Sequence, residues 1–554
     1  MTAAPRASLD RWLWLAAGLL MLAEFLLFDR MTSRHHAGIY PRWNDQIQYL
    51  REAYTAYEHT QVHGLLAGLK FTLTKTALQG TLHDTCALLV FKLVGAASRS
   101  AALSLNMLVF LAWQASLLFA LPRLTGSRAL GWMAFGLLPC VAWAWAGEPG
   151  SAVDFRLDHA AMCLMGVTSV AALLSDGFRS RGWTIALGVA TGVTLLERFI
   201  TGAYFAFILP AGAIWILFGD SRGPRLRNLG LAALVAATMA LPVFWLNRTA
   251  IYTYYWVGHV TGAESAARLP GLDIWRSVQF VFGHLGRMHL GWFFASVAAI
   301  LSLPFVALSE DRPRQPSSRT ERDWLFIALA FILLPAAVLC AHPQKSQYVL
   351  GVLVPGAVLL VLLGWSFLWR RCEIPNRAAW IKVVPVGLAV AAVGAGGWFF
   401  TTRQLRSPHS SEFLIDTRTV NQIADRIFAA ARDRAAANPA IAVDQIVDYL
   451  DAQILQVICY ERHKVWISFV IQLPNSILED KDEAMLYRMK LCDFVVLTDE
   501  MAGDGHWPYD KQMRRLYPQL KEWCEGHLQR AGTFALFGRK LSLYQRPAVP
   551  ITRP

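Results

Sequence analysis

Long apolar stretches alternate with short polar loops along most of the chain. Counting all apolar windows of bilayer length predicts about eleven transmembrane helices up to residue 401. Five stretches are almost free of charge: Leu13 to Phe28, Ala129 to Trp145, Leu231 to Leu246, Leu325 to Cys340 and Gly351 to Leu368. The pattern therefore predicts a polytopic α-helical membrane protein.

Composition supports this prediction and excludes two other classes. The 554 residues are 55% hydrophobic and only 16% charged, which is too apolar for a soluble protein. The net charge of +13 does not indicate nucleic-acid binding, because many of the Lys and Arg residues fall in short loops between apolar stretches. The eight cysteines show no CxxC or zinc-like spacing and are interpreted as buried thiols.

Basic residues recur in every second loop, which gives the chain an orientation. Cytoplasmic loops carry the excess of Lys and Arg. The basic loops hold Arg123 and Arg128; Arg179 and Arg181; Arg222, Arg225 and Arg227; Arg312, Arg314, Arg319 and Arg322; and Arg370, Arg371 and Arg377. We therefore predict a multi-pass protein of the bacterial inner membrane, with an uncleaved first span and a cytoplasmic N-terminus.

Two segments are predicted to lie outside the bilayer on its outer, periplasmic side. Residues 31–100 contain amphipathic pieces that we expect to lie on the membrane surface. Residues 402–554 form a second domain after the transmembrane domain of residues 1–401. A helical pattern over Val420 to Ala437, two short apolar runs and a hairpin around Gly538-Arg539 predict a small α/β fold there.

Asp45 stands in the first polar segment after the first span. A carboxylate at a membrane–water boundary, close to apolar surface, can acquire the pKa of a general base. Asn44-Asp45 also opens a helical pattern, where an aspartate is favoured as the N-terminal cap. The spacing alone favours the cap.

The next outer loop contains Asp154, Asp158 and His159. Two carboxylates four residues apart share one helix face, and they could bind a divalent cation or a hydroxyl-bearing substrate. Arg156 stands between them, and capping with local charge pairing explains the same residues.

A third polar loop, with His342, Lys345 and Tyr348, separates two apolar stretches. Lys345 could stabilise a lipid phosphate or could simply extend to the membrane interface. Glu197-Arg198 poses a similar choice between a binding role and an internal ion pair.

Together these features resemble the GT-C superfamily of membrane glycosyltransferases, which includes protein O-mannosyltransferases and the aminoarabinose transferases of lipid A. The resemblance covers the order of elements: a first span, an acidic outer loop with membrane-lying helices, a second acidic loop, and a soluble outer domain. It also covers a late loop from Lys345 to Tyr348 that leads to a span containing Pro355. Asn44 replaces the first acidic residue that protein mannosyltransferases carry at this point.

The resemblance implies a reaction and roles for the candidate residues. Asp45 would be the catalytic base, and a polyprenyl-phosphate sugar would be the donor to a lipid, glycan or protein acceptor, with inversion. Substrate would be bound by Arg42, Asp154, Asp158, Arg198, His342, Lys345 and Tyr348. A divalent metal is a candidate cofactor, held by Asp154, Asp158 and His159.

Two other functional classes remain open from the sequence. A transporter or flippase of lipid-linked glycans would need cationic groups deep within the spans, and the apolar stretches hold few charges. A polymerase or ligase of surface polysaccharide would share the lipid-phosphate chemistry but would typically use a large loop between late spans.

Overall fold

The structure is a computed structural model, and part of the chain is described in it. The described residues are 4–39, 44–126, 128–142, 144–145, 150–261, 273–291, 319–343, 345–372, 394, 397–398, 400–405, 411–433, 439–444, 450, 452–467, 469–473, 481–500, 508–536 and 538–547. The candidate residue Arg42 lies outside them.

Helices make up nearly all of the described structure up to residue 372. They are α1 (Ala4–His35), α2 (Asn44–His63), α3 (Leu65–Thr74), α4 (Leu82–Val94), α5 (Arg99–Thr125), α6 (Arg128–Leu137), α7 (Leu157–Leu174), α8 (Arg181–Glu197), α9 (Thr201–Leu217), α10 (Arg222–Tyr252), α11 (Ile274–His284), α12 (Arg319–Ala341) and α13 (Val354–Cys372). Short 3₁₀ or π-helical pieces cover Leu138–Cys140, Thr253–Thr261, Leu285–Leu290, Tyr348–Leu353 and Phe400–Gln404.

Five helical segments of the described chain are long and apolar enough to cross a membrane. They are Trp12–His35, Arg99–Thr125, Leu157–Leu174, Arg222–Thr261 and Glu321–Ala341. The predicted polytopic helical class is thereby confirmed, whereas the count of eleven spans stays a prediction. On α1 the side chains of Leu15, Leu19, Leu22 and Leu26 are more than half exposed, as expected of a face in contact with lipid.

Helices α5 and α7 form the centre of the bundle. Ser98 caps the start of α5 by accepting a hydrogen bond from the backbone N–H of Ala101, and Gly126 ends it in a left-handed conformation. Gly166 of α7 faces the indole of Trp113, and a Cβ atom there would lie 2.4 Å from the ring. Only glycine lets these two helices approach so closely.

The segment after α1 folds into three helices that pack on one another. One face of α2 is buried through Ile47, Leu50, Tyr54 and Tyr57, which recur at helical spacing. Both amphipathic pieces expected in this segment are helical and belong to α2 and α4. This packing brings the start of α2, with Asp45, to the end of the bundle where α1 finishes and α5 begins.

The C-terminal part is an α/β structure around a five-stranded sheet. The strands β1 (Ala440–Asp444), β2 (Phe469–Leu473), β3 (Phe494–Thr498), β4 (Gln529–Leu536) and β5 (Arg539–Gln545) are arranged in the order β2-β1-β3-β5-β4. Parallel pairing joins β2, β1 and β3, and the antiparallel β4–β5 hairpin turns at Gly538, as the sequence predicts. The helices are α14 (Ser411–Asp433), α15 (Ala452–His463), α16 (Asp482–Lys490) and α17 (Pro508–His527).

Helix α15 of this C-terminal part lies against α2. The rings of Tyr54 and Tyr460 are 5.3 Å apart, and the Tyr460 hydroxyl donates to the Glu58 carboxylate. Glu461 accepts hydrogen bonds from the Tyr54 hydroxyl and, at 3.1 Å, from the backbone N–H of Arg99. The C-terminal part therefore contacts both the helix that carries Asp45 and the start of α5.

Candidate functional site

Asp45 and Asp154 lie on either side of the Arg156 guanidinium. Asp45 is in the first turn of α2, and its side chain is 54% exposed. Arg156 is almost fully buried at the start of α7, with Nη2 3.6 Å from Asp45 Oδ2 and Nε 3.4 Å from Asp154 Oδ2. The first and second acidic loops of the sequence thus meet through one arginine.

Asp154 is buried, and several donors hold its carboxylate in place. The backbone N–H of Gly150 donates to Oδ2 at 2.6 Å, and the Gln46 amide donates to Oδ1. Gln46 in turn accepts a hydrogen bond of 2.8 Å from Nη2 of Arg99. Burial raises the pKa of the Asp154 carboxyl, while the charge of Arg156 and these hydrogen bonds act in the opposite direction.

Tyr348 brings the third motif into the same cluster. The Arg156 guanidinium lies 4.8 Å from the centroid of the Tyr348 ring, a cation–π contact. Tyr348 follows the C-terminal end of α12, and Asp45 begins α2. Three segments that are far apart in the sequence therefore converge on Arg156.

A second acidic–basic pair lies at the start of α7. Asp158 Oδ1 is 3.0 Å from Nη2 of Arg198, and both side chains are more than nine-tenths buried. Arg198 also donates from Nη1 to Gln79 Oε1 at 3.4 Å, and Gln79 donates to the Tyr254 hydroxyl at 2.6 Å. The internal ion pair that the sequence left open for Arg198 is formed, with Asp158 and not with Glu197 as its partner.

Tyr49 of α2 connects the two charge clusters. Its hydroxyl is buried, which raises its pKa well above the ordinary value, and the charge of Asp45 raises it further. The charges of Arg198 and Asp158 act on the same hydroxyl. Asp45, Arg156, Asp154, Asp158 and Arg198 thus form one electrostatically connected site, which we call the outer cluster after the side of the membrane that the sequence predicts for it; the opposite end of the bundle is called the inner end on the same prediction.

Lys345 and His342 lie in the third polar loop but make other contacts. The Lys345 ammonium donates to the backbone carbonyls of Leu339, Cys340 and His342, at 3.1, 2.7 and 2.6 Å. These carbonyls belong to the last turn of α12 and the residue beyond it, so the cation caps that helix. Partial burial lowers the pKa of Lys345, and the His342 ring packs on His259 at 5.7 Å.

The three candidate metal ligands do not point to a common centre. Asp154 faces Arg156 and Gln46, Asp158 faces Arg198, and Nε2 of His159 lies 3.0 Å from the carbonyl oxygen of Ala144. Within the described parts of the chain, no three His, Cys, Asp or Glu side chains are grouped as metal ligands. These surroundings, with a cation beside each carboxylate, do not fit a divalent metal.

Several residues of the site carried no clear sequence signal. Gln46, Tyr49 and Arg99 are polar or amphipathic residues on helices, and only their burial in the fold distinguishes them. Gln79 is a half-buried residue of the loop between α3 and α4. Arg156 did carry a signal, since it stands between two aspartates. It was interpreted as weakening a metal role, whereas in the structure it is the residue on which the cluster is centred.

This arrangement, a helical membrane bundle with its charged site under an α/β domain, has the fold of the GT-C membrane glycosyltransferases. The structure of ArnT from Cupriavidus metallidurans in the apo state matches with a TM-score of 0.60 at 14% identity, covering 98% of this chain and 99% of ArnT. ArnT bound to undecaprenyl phosphate matches with a TM-score of 0.58, also at 14% identity, over 95% of this chain and 97% of that one.

Sequence comparison finds a glycosyltransferase as well. The lipid A galacturonosyltransferase RgtD of Rhizobium johnstonii is 26% identical over 248 residues, which are 44% of this chain and 48% of RgtD. The match thus spans about half the length of this curated relative. No family model matches the chain. The resemblance to GT-C glycosyltransferases that the sequence predicts is confirmed.

Proposed function

We propose that this protein transfers a sugar from a polyprenyl-phosphate donor to a hydroxyl of a glycolipid acceptor at the outer face of the inner membrane. The observation that carries the proposal is the position of Asp45. Its exposed carboxylate stands at the edge of a buried cluster that contains the cations of Arg156 and Arg198. A reaction that releases a lipid phosphate needs a base to take the proton of the acceptor hydroxyl and cations to stabilise the departing phosphate. Asp45 and the two arginines are suited to these roles.

In this proposal Asp45 is the catalytic base. It removes the proton from the acceptor hydroxyl while the hydroxyl oxygen attacks the anomeric carbon of the donor sugar. The bond between that carbon and the phosphate oxygen breaks, the phosphate leaves with the electron pair, and the configuration inverts. Arg156 lies 3.6 Å from the Asp45 carboxylate and keeps it directed towards the site.

Arg156 and Arg198 would stabilise the departing phosphate. The Nε group of Arg198 is buried and has no hydrogen-bond partner among the described residues, and Nε of Arg156 has the carboxylate of Asp154 at 3.4 Å. A buried guanidinium N–H without a partner is costly, and a phosphate oxygen would satisfy it with a strong charge-assisted bond. Tyr348 fixes the guanidinium plane of Arg156 from the other side. Arg42, His342 and Lys345 remain candidates for contacts with the donor.

Two relatives support the choice of substrates. ArnT has been captured with undecaprenyl phosphate, a lipid phosphate of the kind that this reaction would release. RgtD is described as a lipid A galacturonosyltransferase, which favours lipid A as the acceptor of this protein. We further propose that the C-terminal part of residues 402–554 lies in the periplasm, where it contacts α2 from the acceptor side.

The experiment replaces Asp45 by Asn in the purified protein. Loss of the base should lower sugar transfer to lipid A about 10²–10⁴-fold, whereas thermal stability should not change, because the side chain is largely exposed. Transfer is measured with polyprenyl-phosphate hexuronic acid and hexose donors. Asp29→Asn is the matched control, since Asp29 is an exposed carboxylate near the outer end of α1. Near-normal transfer by Asp45→Asn would contradict the role of the base.

A further inference from the structure

Two exposed arginines end the lipid-facing side of α1. Leu22, Leu26, Arg30 and Arg34 follow one another at steps of four residues, and all four side chains are exposed. Residues at this spacing lie on one face of a helix, so the two guanidinium groups continue the apolar face that contacts lipid. They stand in the last turns of the apolar span Trp12–His35, at the end that the sequence predicts to be the outer one. An anionic group can therefore reach them sideways from the bilayer.

Neither arginine has an acidic partner in the part of the chain that the structure describes. No ion pair or side-chain hydrogen bond joins Arg30 or Arg34 to another described residue. The adjacent carboxylate of Asp29 is exposed, and consecutive positions of a helix point in directions about 100° apart. Basic residues are unusual at an outer boundary, because the excess of Lys and Arg belongs to cytoplasmic loops. Two cations at this place therefore indicate a role other than membrane orientation.

The end of α1 is connected to the outer cluster by a chain of hydrogen bonds. Nη1 of Arg99 donates to the carbonyl oxygen of His36, which directly follows the helix, and Nη2 of the same side chain donates to Gln46 at 2.8 Å. The Gln46 amide in turn donates to Asp154. Arg30 lies roughly 9 Å before His36 along the helix axis, at 1.5 Å per residue. The two arginines therefore stand beside the site without belonging to its buried centre.

We propose that Arg30 and Arg34 dock the phosphate groups of the acceptor glycolipid in the outer leaflet. This inference rests on the proposed function, in which the donor phosphate leaves at the buried arginines of the outer cluster. A further phosphate-binding surface beside that centre suits an acceptor whose own headgroup is phosphorylated, as that of lipid A is. A guanidinium binds phosphate through two parallel N–H groups, and the neighbouring leucines of α1 suit the acyl chains of such a lipid.

The test measures binding of lipid A, with and without its phosphate groups, to the purified protein by native mass spectrometry. The wild type should bind the phosphorylated form more tightly. Arg30→Gln with Arg34→Gln should weaken that binding about tenfold or more and should bind the two forms alike. Arg222→Gln with Arg227→Gln is the control, because it removes the same charge from exposed positions at the start of α10 and should keep the preference of the wild type.

Three results would overturn the docking surface. The first is an equal loss of binding in both double variants, which would assign the preference to diffuse charge. The second is a wild type that binds both forms of lipid A equally. The third is displacement of phosphorylated lipid A by an equal concentration of phosphatidylglycerol, which would make the surface a general contact for anionic lipid.

Thermal unfolding and sugar transfer are measured on the same samples. If the glutamine variant unfolds at a lower temperature than the wild type, Arg30→Lys with Arg34→Lys, which keeps the charge, should retain the preference, and its loss there would contradict the surface. Binding that depends on the phosphate groups and on both arginines, without any transfer, would contradict the proposed function and leave the docking surface standing. Transfer to lipid A without a preference for its phosphate groups would contradict the docking surface alone.

Discussion

Two clusters of buried aspartate and arginine lie at opposite ends of the helix bundle, and they differ in how completely their charges are paired. At the inner end Asp323 accepts hydrogen bonds from Arg179 at 2.9 Å, Trp215 at 2.7 Å and Arg225 at 3.3 Å. At the outer end Arg156 is 3.4 and 3.6 Å from its two carboxylates. The contacts of Asp323 are mostly at hydrogen-bond length, whereas both contacts of Arg156 are longer, although the pair of Asp158 and Arg198 in the outer cluster is also short, at 3.0 Å.

The surroundings of the two clusters lead to the same distinction. Gly177 lies against Asp323 so closely that a Cβ atom would be 2.2 Å from Oδ2, and its φ of +60° suits glycine. Such a closed cluster joins α9, α10 and α12 and leaves no room for a ligand. In the outer cluster Asp45 is exposed and has one ion pair, at 3.6 Å, among the described residues, and Nε of Arg198 has no hydrogen-bond partner among them. Nη2 of Arg179 in the inner cluster lacks one as well. Unpaired N–H groups therefore do not separate the two ends, and it is the exposed, weakly paired Asp45 beside the buried Arg156 that favours the outer end as the one available to a substrate.

The largest effect on stability is expected from removing the central carboxylate of the inner cluster. Asp323→Ala would leave the buried guanidinium of Arg225 without its carboxylate, so the free energy of unfolding should fall by about 3–5 kcal/mol. Thermal unfolding of the detergent-purified protein measures this loss. Asp482→Asn is the control, because its ion pair with Arg515 is on the surface and should contribute less than about 1 kcal/mol. An Asp323 variant as stable as the control would contradict a structural role for the inner cluster.

At the outer cluster, replacing the central arginine should affect turnover more than stability. Arg156→Lys keeps the positive charge but loses the planar fork that faces Asp45, Asp154 and the Tyr348 ring. We expect kcat to fall by a factor on the order of 10–10², since the lysine cannot orient the base and meet the phosphate together. Steady-state kinetics with the lipid-linked donor measure the change. A loss of stability as large as that of Asp323→Ala, with kcat unchanged, would remove the difference between the clusters.

The sequence predicts the class of the protein and the residues around the site better than it predicts Arg156 at the centre of the site. Charge-free stretches reveal membrane helices, because a bilayer admits few charges. Strand β3 shows as an apolar run over its first four residues, and all five of its residues are buried. Asp45, Asp154, Asp158 and Tyr348 are recognised because they interrupt or flank apolar stretches. Their meeting at Arg156 depends on packing between α2, α7 and the segment after α12, which no local pattern contains.

Other differences from the sequence prediction have equally physical causes. The sequence offered an ammonium at Lys345 for a lipid phosphate, and the structure directs that ammonium to the carbonyls at the end of α12. The last carbonyls of a helix need donors whatever the function of the protein. A lysine can therefore serve either to cap a helix or to bind a phosphate, and the sequence does not distinguish the two. Strand β1 carries little strand signal although its burial is complete, because two of its five residues are alanines and its last is an aspartate, residue types that are depleted in strands.

A comparable loss of turnover is expected from the contact that holds Asp154 in place. Gln46→Leu removes the amide donor to the Asp154 carboxylate and the acceptor for Arg99. The loss of one charge-assisted bond, about 1.5–3 kcal/mol, should lower kcat by a factor on the order of 10 to 10² if Asp154 serves the reaction. Gln48→Leu is the matched control on the same helix, because Gln48 donates only to Glu52 at 3.1 Å among the described contacts. Equal kinetics of the two variants would show that the position of Asp154 is irrelevant to turnover.

The smallest effect should come from the contact between the C-terminal part and α2, which lies beside the outer cluster. Glu461→Gln preserves the shape of the side chain but removes the charge that accepts from the Tyr54 hydroxyl and the Arg99 backbone N–H. Weakening these bonds by about 1 kcal/mol should loosen α2 and lower transfer about fivefold at unchanged stability of the bundle. Glu525→Gln, at an exposed position of the same C-terminal part, should have no effect. Because Arg99 also bonds Gln46, the effects of Glu461→Gln and Gln46→Leu should be less than additive when combined. Full additivity in this double-mutant cycle would mean that the C-terminal part does not act on the outer cluster through Arg99.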